Sequence, residues 1–120
     1  MTYEETERDA SVDAEMGTLR DLSVEALLER AETHRVGEYY QLWRAIAEKV
    51  QLRDAAPIMM NELEHGGDFQ SRYHCALALL SMLPYTGIRP HDLAERQAAG
   101  HEIYMGDLRE ELSEALGGDL

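Results

Sequence analysis

Basic charge, cysteine and long apolar runs are what this chain has least of, and each shortage closes off a class of protein. One lysine and ten arginines stand against 24 acidic residues among 120, a formal net charge of −13. A surface that binds nucleic acid directly needs a basic patch, and the sequence offers none. An anionic membrane surface is disfavoured for the same reason. One cysteine, Cys75, excludes an internal disulfide. It sits in the most apolar part of the chain, so the expectation is a small buried hydrophobe in a reducing compartment, with the cytoplasm as the default location. The first seventeen residues, MTYEETERDASVDAEMG, are acidic where a secretory signal is basic and then apolar, so no export segment is expected. The stretch Cys75 to Leu83 has no charge, yet it is far short of the roughly 20 apolar residues of a membrane span. No CxxC, HExxH, phosphate loop or nucleophile elbow occurs, and no run alternates as a strand would.

What remains is the composition of one globular domain, 44% hydrophobic and long enough to bury a core without covalent staples. The acidity is uneven. Residues 1–17 carry six acids against Arg8, residues 102–120 carry six against Arg109, and the middle is nearly balanced. Residues 1–17 show no helical apolar period, so they are expected to form an acidic flexible tail on a domain spanning 18–120.

Apolar residues then recur at helical spacing. A helix is expected from Ser23, with Leu22 and Leu27 as a staple around the cap, to about Arg35, with Gly37 as its stop. A second should run from Glu38 to Val50, with Tyr39, Leu42, Trp43 and Ile46 on one side. A third begins at a cap on Asp54 with Pro57 in its first turn, and Gly66-Gly67 end it. The fourth, capped by Asp68, carries Ser71 to Leu83 and is apolar around most of its circumference, which makes it the expected centre of the fold. A thin fifth helix over 91–104 and a sixth capped by Asp107 complete an all-α protein of five to six helices.

Gly37-Glu38-Tyr39 aligns with Gly67-Asp68-Phe69 at an offset of 30, and Trp43 and Ala45 align with Tyr73 and Cys75. Two helix pairs of like design follow one another, the unit of a short right-handed α-solenoid. Pro57 followed by Ser71-Arg72-x-x-Cys75-Ala76-x-Ala78-Leu79 resembles the HEAT-like (PBS-lyase-type) repeat, in which a proline opens the first helix and the second carries V-R-x-x-A-A-x-A-L. The resemblance covers residues 54–83 best and weakens over 23–50, where Leu42 replaces the arginine. It implies protein–protein scaffolding more than any one activity.

Glu62-x-x-His65 has the spacing of di-metal bundles, but no second pair accompanies it, and His65 is read as a helix C-terminal group. His34, His91 and His101 lie among charged residues and are expected at the surface. Nucleophile, base and oxyanion donors do not assemble, so no enzyme, cofactor or metal is expected. Tyr39, Trp43 and Tyr73 fall on the apolar stripes and read as core. Tyr40, Arg44, Arg72 and His74 are the candidate partner-binding residues, since second helices line the inner face of such stacks and aromatic and arginine residues dominate binding hot spots. The expected function is a non-enzymatic interaction module for another protein. The alternative is an acidic inhibitor, of immunity or DNA-mimic type, for a basic partner.

Overall fold

The computed structural model describes residues 3–84 and 86–117, with side chains from residue 9 onward. Among these residues there is no strand, and the helices are α1 Tyr3–Arg20, α2 Val24–Glu32, α3 Leu42–Lys49, α4 Leu52–His65, α5 Phe69–Ser81, α6 Pro90–Ala94 and α7 His101–Ala115. The all-α architecture is as expected. The number of helices is larger because the N-terminal segment is itself helical.

That segment corrects the sequence reading. Residues 1–17, expected as a flexible tail, belong to α1 except for residues 1 and 2, which lie outside the described residues. Met16 and Leu19 are 1% and 3% exposed, so the domain does not begin at residue 18. Their spacing of three is a single helical contact, too short a stripe to stand out among the acids.

Local signals account for the next helices. Ser23 accepts a hydrogen bond from the amide of Ala26 at 3.1 Å, capping α2. Asp68 does the same for Gln70 at 2.9 Å, capping α5. Between α2 and α3 the chain departs from expectation. Residues 33–41 form an irregular loop with left-handed backbone at His34 (φ 55°), Gly37 (φ 93°) and Tyr40 (φ 59°), so α3 begins at Leu42 and not at Glu38. α4 begins at Leu52, two residues ahead of the expected Asp54 cap, which places Pro57 in its second turn. The fifth expected helix is reduced to α6. Asp107, expected as a cap, is an exposed residue inside α7, because His101, Met105, Leu108 and Leu112 form one continuous buried stripe.

α2 packs on α3 and α4 on α5, while α3 meets α5 and α2 meets α4. Residues 24–81 are therefore two helix pairs laid one on the other, with α1 against α3 and α6 between α5 and α7. α5 holds the centre: Cys75, Ala76 and Leu79 are fully buried and Leu80 is nearly so. Small residues at 75, 76 and 78 let neighbouring helices come close. Leu77, on the outer side of this largely apolar helix, is 43% exposed.

Candidate functional site

Three of the four residues singled out in the sequence meet in one place. Tyr40, Arg44 and His74 line a groove of about 330 Å³ between α3 and α5, with Ala47, Leu77 and Ala78 as its apolar wall. Tyr40 is held from several directions. Its hydroxyl donates to Asp68 at 2.9 Å, and its ring stacks on His74 with centroids 5.4 Å apart and planes 12° from parallel. Tyr73 meets the same histidine edge-on at 6.1 Å.

The loop that delivers Tyr40 owes its shape to Glu15. The carboxylate of this α1 residue accepts the backbone N–H of Tyr39 at 3.1 Å and of Gln41 at 3.0 Å. Those amides have no helical partner, and the carboxylate satisfies them. Gly37 makes room: a Cβ there would lie 2.6–2.8 Å from the Glu15 carboxylate, and its φ disfavours any side chain. Gln41 follows, 8% exposed, with its side-chain N–H donated to the Tyr39 carbonyl at 3.0 Å and its Oε1 without a partner among the described residues.

Charge sits at one end of the groove. Arg20 of α1 makes a two-pronged contact with Glu48 at 3.1 and 3.2 Å, and Arg44 approaches the same carboxylate at 3.5 Å. The bond from Arg20 holds the Glu48 carboxyl below its ordinary range. At the other end, the hydrogen bond to Asp68 raises the Tyr40 phenol. Burial lowers the His74 imidazole, with the charge of Glu15 opposing the change.

Arg72 lies elsewhere and is 7% exposed. Its Nε donates to the Ala94 carbonyl and its guanidinium to the Gly66 carbonyl, each at 2.8 Å, with the Phe69 ring 5.9 Å from its Cζ. It ties α5 to α6 and is not available to a partner. The side chain is long enough to bury its stem and still reach two orphan carbonyls.

A second constellation escaped the sequence reading. Glu62, in the last turn of α4, is 4% exposed. Its Oε2 accepts from His34 Nε2 at 2.8 Å and from the Ser71 hydroxyl at 3.3 Å, and Ser71 in turn accepts the Trp43 indole N–H at 3.0 Å. The carboxylate occupies the space where a Cβ on Gly66 would stand. His65, expected to serve the end of α4, instead points outward with Nε2 3.8 Å from Glu64. The terminal carbonyls of Gly66 and Glu64 accept from Arg72 and Arg96. His101, expected at the surface, is 6% exposed. The available signal was a spacing: His34–Glu62, Tyr40–Asp68 and Trp43–Ser71 are each 28 residues apart, the lateral register of one helix pair on the next.

Cys75 donates its thiol to the Met59 carbonyl at 3.4 Å, and burial pushes its pKa well up. Among the described residues no group of three or more His, Cys, Asp or Glu is arranged to hold a metal ion, and no helix is long and apolar enough to cross a membrane. Fold and groove together define a small all-helical protein with an aromatic-walled surface cleft between stacked helix pairs. No protein-family model, no curated protein and no solved structure matches the chain.

Proposed function

We propose that this protein is a non-enzymatic interaction module, built on HEAT-like stacked helix pairs, that receives a segment of a partner protein in the groove of Tyr40, Arg44 and His74. The observation that carries this reading is the convergence of these three side chains on a cleft with an apolar wall and an exposed leucine, Leu77. An aromatic pair, an arginine and a protruding aliphatic residue are the chemistry of interface anchors. Arg44→Glu with Leu77→Arg changes two exposed positions and leaves the core intact. Proteins captured by the wild type should be lost from this variant while its circular dichroism is unchanged; an identical captured set places binding on another face. The buried lone thiol suits a reducing compartment such as the cytoplasm.

A second reading, an acidic protein for a basic partner, draws on the cleft of about 350 Å³ beside α7, where Asp107, Glu110, Glu111 and Glu114 follow one another along the helix. Affinity that falls steeply between low and physiological salt would favour it, and salt-independent capture would favour the groove.

A further inference from the structure

We propose that the cavity at the joined C-terminal ends of α2 and α4 receives a guanidinium-bearing side chain of a partner protein. The cavity has a volume of about 470 Å³ and shares no residue with the Tyr40 groove. Its walls carry two carboxylates, Glu32 and Glu62, and neither lysine nor arginine. Glu62 is almost entirely withdrawn from water, and the one basic group that touches it from within the cavity is the half-exposed ring of His34. A buried carboxylate is costly unless its charge is answered. Histidine answers it only in the protonated form; as a neutral ring it supplies one hydrogen bond and no charge.

Acceptor capacity is left over. A carboxylate offers about four lone-pair sites. Oε2 takes both short contacts, whereas Oε1 has only the longer approach of His34 at 3.3 Å. A planar group with several N–H donors suits that remaining acceptor capacity better than a single-point ammonium.

The backbone has the same sign. α2 ends at Glu32 and α4 at His65, and both residues line the cavity. The terminal carbonyls of α4 at Glu64 and Gly66 are already taken by Arg96 and Arg72, so the backbone field that favours a cation here is that of the α2 end. Arg72 lies behind Glu62 and its charge is felt there. It is tied to the Gly66 and Ala94 carbonyls and does not enter the cavity. Ala31, Pro57, Ile58 and Trp43 supply the apolar part of the lining, suited to the methylene stem of arginine.

Trp43 is the only tryptophan of the chain and lines the cavity, so its indole N–H resonance and fluorescence report directly on occupancy. The probes are Nα-acetyl-arginine amide and its neutral isostere Nα-acetyl-citrulline amide, titrated into the full chain. The expected result is a saturable shift of the Trp43 indole signal with the arginine probe. Apparent affinity should be at least about tenfold weaker for citrulline, a difference of about 1.4 kcal/mol. Replacing the exposed rim residue, Glu32→Gln, should weaken the arginine response several-fold, and Glu62→Gln should abolish it if that variant retains its fold. If Glu62→Gln unfolds, the citrulline comparison and Glu32→Gln decide. Equal responses to the two probes, no response up to about 100 mM, far weaker than the 1 mM that corresponds to about −4.1 kcal/mol, or wild-type affinity in Glu32→Gln would overturn the proposal. The Tyr40 groove can fail its own test without affecting this one, because Arg44→Glu with Leu77→Arg leaves the cavity untouched.

Discussion

Ser71 has no exposed surface and stands between the Trp43 indole and the Glu62 carboxylate. Removing its hydroxyl strands a donor on one side and deprives a buried charge on the other. Ser71→Ala should therefore cost about 1–3 kcal/mol, since an unsatisfied buried group loses its full desolvation energy, and urea unfolding followed by Trp43 fluorescence would measure it. A cost near zero would mean that water replaces the hydroxyl. His74 gives a prediction of opposite kind, in pH. Its folded imidazole titrates below the ordinary value of 6.5, chiefly through burial. Between the two pKa values the unfolded chain binds more protons than the folded one, so this contribution is intact above about 6.5 and is lost as pH falls toward the folded value. His74→Gln should flatten that part of the stability profile between about pH 8 and pH 5.5. Unchanged slopes in wild type and variant would show that His74 does not contribute. Of the groove, Tyr40, Arg44 and His74 could be picked out beforehand because aromatic and arginine residues off the apolar stripe need a reason to be there. Glu62 stands out in the sequence only through its spacing to His65, and only the fold reveals that its partners are His34 and Ser71, carried to it from 28 and 9 residues away.

At the scale of elements, α1 and the loop 33–41 form one unit. Glu15 fills the loop's free amides, Gly37 leaves space for it, and Met16 and Leu19 seat the helix beside α3. Gly37→Ala should destabilise by about 1–3 kcal/mol from its backbone alone, with a further loss from contact with the carboxylate. A double-mutant cycle with Glu15→Ala should recover that second part, giving a coupling of about 0.5–3 kcal/mol; strictly additive losses would show that helix and loop are independent. Met16→Ala should cost about 2–5 kcal/mol if α1 is part of the core, against less than about 0.5 kcal/mol for a surface position. These energies also explain what was legible. α5 could be read directly, because nine uncharged residues from Cys75 to Leu83 call for a largely interior position, with Leu77 and Ser81 the exposed exceptions. α1 could not, since among its described side chains only Met16 and Leu19 are buried, beside the inward Glu15. The start of α3 was misplaced because Glu15, outside any local window, holds residues 39–41 off the helical path.

Over the whole molecule the unbalanced charge should govern how stability responds to salt. The chain carries 24 acids against 11 basic residues. Its ion pairs, such as Arg20–Glu48 and Arg109–Glu64, are largely exposed, and pairs of that kind contribute little each. Added salt weakens those few attractions, but it also weakens repulsion among a much larger number of acids. Repulsion at net charge −13 acts against the compact state, which crowds the charges together, more than against the expanded one. The Debye length shortens from about 30 Å at 0.01 M to about 8 Å at 0.15 M, the first spanning the molecule's shortest extent of 26 Å and the second well inside it. The urea midpoint should accordingly rise with sodium chloride across that interval and level off above it. A midpoint that falls instead would mean that the Arg20–Glu48 and Arg109–Glu64 links, and with them the seating of α1 and α7, contribute more than the repulsion they oppose.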